Sequence, residues 1–150
     1  MTTSFDPRPM ALRSQASLEM AAAKEAVVRR MVDALQRADP AAIGELLSDD
    51  VVYYFPGRSE VAGTYRGRDE VLGLFGAFGR LLGGPPSLDS HDVVASEAHV
   101  VELATHAAVR NGTPYEWQAI RIYHIDDDQI SEIWLMIGDI YAFDAWLEGD

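Results

Sequence analysis

The 150-residue chain contains no cysteine, which excludes disulfides, thiolate nucleophiles and thiolate metal sites. It also lacks any apolar run near the roughly 20 residues that span a bilayer. The N-terminal stretch MTTSFDPRPMALRSQAS has no charged-then-apolar leader pattern, so a cytoplasmic protein is expected. Basic residues are few: 12 Lys and Arg stand against 24 Asp and Glu, a net charge of −12. That balance argues against nucleic acid or an anionic membrane as a partner. No His/Asp/Glu spacing makes a metal site and no glycine loop after a strand could cradle phosphate, so no cofactor is expected. Repeats and interdomain linkers are also missing.

What is present is enough apolar material for a core, at 48% of residues. The expected organisation is a flexible tail over residues 1–15 and a single domain over 16–150. The most informative stretch runs from His99 to Tyr123, two alternating runs joined by Asn111-Gly112. Both central residues of a type I′ turn need positive φ, so Asn-Gly there marks a hairpin and fixes its register. Arg110 then faces Thr113, Ala108 faces Tyr115, His106 faces Trp117, Ala104 faces Ala119, and Glu102 faces Arg121. The last four pairs share one face, a mixture of small, aromatic and polar groups suited to a pocket wall. The opposite face carries Val101, Leu103, Thr105, Gln118, Ile120 and Ile122 and is largely aliphatic.

Helical spacing starts near Ala16, with Met20, Val27, Val28, Met31 and Leu35 in one stripe. Asp39-Pro40 supplies an N-cap and a first-turn proline for a second helix carrying Ile43, Leu46 and Leu47 inward. Val51–Phe55 is a short strand stopped by Pro56-Gly57, and Gly63–Gly67 a brief strand or turn. A third helix holds Val71, Leu74, Phe75, Phe78 and Leu82 to one side until Gly83-Gly84-Pro85-Pro86 ends it. Gly73, Gly76 and Gly79 recur inside it, each costing about 1 kcal/mol against alanine. Close packing on another element and tolerated flexibility both fit that recurrence. Strands follow at Ser87–Ser96, His99–Arg110, Thr113–Ile125 and Gln129–Ile137. The aromatic segment Ile140–Leu147 is expected to cover one end of the sheet. A one-residue difference in the Asp126–Asp128 turn exchanges the faces of the last strand, so the pattern leaves two pairs open, Trp134 with Met136 or Ile133 with Leu135.

Helices followed by a long antiparallel sheet give an α+β order. The strings VRRMVDALQRADPAAI, LLSDDVVYYFPG, GTYRGRDEVLGLF and IDDDQISEIWLMIGDIYAFDAW resemble the SnoaL-like branch of the nuclear transport factor 2-like superfamily, over about Glu25 to Trp146. The resemblance implies a cone-shaped cup, three N-terminal helices packed on a curved, mainly antiparallel sheet, with a pocket inside. It also implies a homodimer through the outer sheet face. Activity does not transfer with it. Steroid isomerases of this fold use a tyrosine and two acids where this chain has Met31, Phe55, and Ile120 or Arg121. Limonene-type epoxide hydrolases use Arg-x-Asp where it has Ala104-Thr105-His106, and a last-strand acid where it has Leu135 or Met136. The polyketide cyclases' last-strand base is apolar here too.

The remaining polar groups define the candidate chemistry. His106 is the candidate general acid or base, or else a buried, satisfied histidine. Arg121, paired with Glu102, is suited to an enolate or a carboxylate, or to a structural ion pair. Tyr54 is a candidate donor to a substrate oxygen, and Asp139 a candidate base or a cap for the final turn. Glu102, Trp117, Tyr123, Trp134 and Met136 are the candidate substrate contacts. Together they suggest a cofactor-independent cyclase, isomerase or dehydratase acting on an apolar polyketide- or terpenoid-like molecule in specialised metabolism. A non-catalytic ligand-binding protein and an epoxide hydrolase with altered residues are the alternatives.

Overall fold

The computed structural model describes residues 7–149, with side chains described from residue 14 onward. Four helices and six strands follow one another as α1 (Pro7–Gln36), α2 (Pro40–Leu46), β1 (Leu47–Phe55), β2 (Gly63–Arg66), α3 (Arg68–Leu82), β3 (Ser87–Ala95), β4 (Val100–Arg110), β5 (Thr113–Asp126), β6 (Gln129–Ile137) and α4 (Ile140–Glu148). The strands form one sheet in the order β2-β1-β6-β5-β4-β3. All neighbours are antiparallel except β1 and β6, which run parallel. The helices cover the concave face, which makes the expected cup. None of the described helices is long and apolar enough to cross a membrane.

Helix α1 begins earlier than its periodicity indicates. It starts at Pro7 instead of near Ala16, because prolines in a first turn lack only N–H groups that have no helical partner anyway. Residues 1–6 of the expected tail lie outside the described residues. The second half of α1 packs on the sheet: Val27, Val28 and Met31 are buried, whereas Met20 of the expected stripe is 48% exposed. In α2, Asp39 caps as expected, accepting from the Ala42 N–H at 3.1 Å.

The β4–β5 register matches the turn prediction pair for pair, from Arg110 opposite Thr113 to Glu102 opposite Arg121. Asn111 and Gly112 both take positive φ. The next hairpin turns on Asp127 and Asp128, also both at positive φ. Its register then shifts: Ile125 opposes Ile130, but His124 opposes Glu132. Ser131 is the extra residue, and its hydroxyl donates to the His124 carbonyl at 3.2 Å. A bulge of this kind exchanges the faces of everything beyond it. Ile133, Leu135 and Ile137 therefore point inward with Ile130, and Trp134 and Met136 lie opposite Ile122 and Ile120 on the outer face.

Helix α4 closes one end of the cup. Phe143, Trp146 and Leu147 are buried, while Tyr141 faces solvent, and the Trp146 indole N–H donates to the Thr113 carbonyl at 3.0 Å. The buried Asp144 carboxylate accepts from the Arg58 N–H at 2.8 Å, which fastens α4 to the loop after β1. Gly57 has φ +96°, and a Cβ there would sit 2.5 Å from the same carboxylate. Glycine is what both the backbone and the space require.

Candidate functional site

Between α3 and the concave face of the sheet lies a cavity of about 280 Å³. Its wall is chiefly apolar, and Tyr53, Phe55, Phe75, Phe78, Trp117 and Phe143 are its aromatic part. Two charged or titratable nitrogenous groups reach this lining, His106 on β4 and Arg121 on β5. Strand alternation puts them there, since each stands on the face that the Asn-Gly turn assigns to the interior. His106 lies flat against Trp117, with ring centroids 5.3 Å apart and planes 13° from parallel.

The hydrogen bonds determine the state of the imidazole. His106 Nδ1 is 3.1 Å from the Ser87 carbonyl oxygen, and Nε2 is 2.8 Å from Arg121 Nη2. A carbonyl only accepts and a guanidinium only donates. Nδ1 therefore carries the proton and Nε2 receives a bond from Arg121. Burial and the adjacent Arg121 charge push the imidazole pKa down to about 3, against the opposing pull of the Ser87 carbonyl. At neutral pH His106 is an uncharged ring whose lone pair is occupied.

Behind Arg121 stands a buried polar cluster. Arg121 Nη1 donates to Glu102 Oε1 at 3.3 Å, and the Tyr123 hydroxyl donates to the same oxygen at 3.0 Å. Glu102 is wholly buried, and its Oε2 has no partner among the described residues. Burial works against the Arg121 charge, but Tyr53, Glu102 and Tyr123 outweigh it and the guanidinium is held protonated. Burial likewise raises the Tyr53 and Tyr123 hydroxyls, so both remain protonated donors.

Of the residues singled out from the sequence, His106, Arg121 and Trp117 share the cavity. Glu102 and Tyr123 sit one layer behind it and touch Arg121 or each other instead of the space itself. Four residues require correction. Tyr54 is on the outer face, stacked on Trp134 at 5.7 Å with planes 6° apart. The inward residue is Tyr53, because Val51, Tyr53 and Phe55 alternate toward the core. Trp134 and Met136 accompany Tyr54 in a separate outer groove, displaced from the cup by the bulge at Ser131. Asp139 is exposed and caps α4, accepting from the Ala142 N–H at 3.1 Å. No group of three or more acidic or histidine side chains able to hold a metal occurs among the described residues.

The comparisons agree with this architecture. The SnoaL-like domain model matches residues 28–133. Bal32a, from a soil-derived mobile gene cassette, is 24% identical; the match covers 86% of this chain and 99% of that one, with a TM-score of 0.82. TerC, co-crystallised with polyporic acid, is 17% identical over 85% of this chain and 99% of its own, with a TM-score of 0.76. A LEH-like epoxide hydrolase from M. tuberculosis is 21% identical over 84% of this chain and 88% of its own, with a TM-score of 0.66. These likenesses establish the fold alone. No curated protein matches the chain. A family model covering well over half of the sequence shows that the chain belongs to the SnoaL-like domain family, and its six-stranded cup is the fold of the NTF2-like structures it resembles.

Proposed function

We propose that the cup takes one small, largely apolar organic molecule and holds an oxygen of it on Arg121. We further propose that this end supports cofactor-independent enolate chemistry: isomerisation, cyclisation or dehydration. One observation carries the reading, a guanidinium on the lining of an aromatic hollow with donors to spare. Arg121 has five N–H groups, and its hydrogen bonds to Glu102 and His106 use two. Such fixed donors in a dry site stabilise an oxygen as it gains negative charge. Tyr53, beside Arg121 and held protonated, adds a hydroxyl donor. His106 positions the guanidinium and does not move a proton, which revises the role its residue type suggests. That TerC was crystallised with polyporic acid fits an organic ligand in a cup of this shape.

Non-catalytic binding is the second reading, favoured by the same imidazole. With its lone pair occupied, the cavity lining offers no free basic nitrogen and no carboxylate among the described residues. The absent carboxylates also weigh against the two-acid water activation of an epoxide hydrolase. Proton loss from a ligand would have to reach water or the ligand's own basic group. An apolar bicyclic ketone, 2-tetralone, separates the readings. The protein is expected to bind it by calorimetry and to accelerate exchange of its α-protons in deuterated water, followed by NMR. Arg121→Lys and Tyr53→Phe should each slow that exchange by about tenfold or more. Binding without faster exchange selects the non-catalytic reading, and no binding of 2-tetralone defeats the enolate reading.

We place a homodimer contact on the outer sheet face, where Leu103, Ile120 and Met136 form an exposed apolar row across β4, β5 and β6. Ile120→Lys is expected to convert a dimer to a monomer in sedimentation velocity. A wild-type monomer at tens of micromolar would overturn this placement.

A further inference from the structure

The three glycines of α3 lower helix stability relative to alanine, yet local crowding does not require them all. A Cβ built on Gly73 or Gly79 meets nothing within 4 Å, and at Gly76 it meets the Arg80 guanidinium tip at 3.2 Å, the end of a flexible side chain. The close-packing explanation for their recurrence is therefore wrong. Their surroundings divide them instead. Gly76 and Gly79 line the cavity, and Gly73 does not.

The wall they belong to also carries Phe75 and Phe78. Across the cavity the sheet presents Trp117 with His106 lying flat against it, and Phe78 meets Trp117 edge-on at 6.3 Å. A helix stripped of Cβ atoms lets a ligand approach its backbone closely. The result is a cavity whose helical wall carries Phe75 and Phe78 but no side-chain bulk at Gly79, with Arg121 on its lining. Gly79 lines the cavity and a Cβ there meets no protein atom within 4 Å, so a side chain added at this point of the wall finds open space.

We propose that Gly79 sets the width of the cup and keeps it open to a ligand of more than one ring whose oxygen reaches Arg121. The inference rests on the ligand-cup reading above and adds the ligand's size to it. Calorimetric titration with phenol and with 2-naphthol tests it, using Gly73→Ala as the control in the same helix. Gly73→Ala and Gly79→Ala should both unfold at higher temperature than wild type, since alanine suits a helix interior better. Gly73→Ala should bind 2-naphthol as wild type does. Gly79→Ala should weaken it by about tenfold and Gly79→Val more, with phenol losing less. Wild-type affinity for 2-naphthol in Gly79→Val, or equal losses for the two probes, would overturn the proposal while leaving the cup intact. Wild-type protein that binds neither probe would defeat the ligand-cup reading and this inference with it.

Discussion

Arg121→Met is expected to cost about 3–5 kcal/mol of folding stability, because it leaves a buried carboxylate without its cation. Glu102 has no exposed surface, and Oε2 already lacks a partner among the described residues. After the substitution, Oε1 keeps one bond, from the Tyr123 hydroxyl, and Glu102 loses the one cation it pairs with among the described residues. His106 loses the donor to Nε2 at the same time. Methionine supplies comparable apolar bulk, so a lost-volume effect contributes little and the penalty reports mainly the orphaned charge. Urea unfolding at pH 7 measures it. The double variant Glu102→Gln/Arg121→Met should recover a large part of the loss, since a neutral amide is cheaper to bury than an unpaired carboxylate. Equal stabilities for the single and double variants would show that Glu102 does not depend on Arg121.

The same cluster shows what the sequence made legible. The Glu102–Arg121 pairing and the shared face of His106 and Trp117 follow from one dipeptide, because a two-residue type I′ turn sets both strand partners and side-chain parity. The β4–β5 ladder agrees through its whole length. The last strand was not legible for a specific reason. Ile130, Trp134 and Met136 would share one face in an unbroken strand, but one extra residue at Ser131 restores the apolar set Ile133, Leu135 and Ile137 to the core. Nothing in the composition of QISEIWLMI announces that bulge. The choice between Tyr53 and Tyr54 was open to pattern reasoning, since Val51, Tyr53 and Phe55 alternate into the core ahead of Pro56-Gly57. The state of His106 lay beyond any local pattern, because Ser87, 19 residues away on β3, fixes its tautomer.

That state has a large consequence in acid. Native His106 binds a proton only near pH 3, whereas an unfolded histidine binds one near 6.5. Between those values the unfolded chain holds the extra proton, so stability contributed by the neutral imidazole is present above pH 6.5 and lost as pH falls toward 3. Each pH unit inside that window is worth about 1.4 kcal/mol. The wild type should therefore lose about 2 kcal/mol from this residue between pH 7 and pH 5. His106→Gln keeps an amide donor for the Ser87 carbonyl and an acceptor for Arg121 but does not titrate. Its stability should fall less steeply with acid, and the gap to wild type at pH 7 should shrink by about 2 kcal/mol at pH 5. Carboxylates elsewhere titrate alike in both proteins and cancel in the comparison. Nitrogen-15 NMR of the imidazole should show the Nδ1–H tautomer unchanged from pH 7 to pH 5. Parallel stability curves for the two proteins, or an imidazole that protonates near 6.5 in the folded chain, would return His106 to the role of a free acid and base.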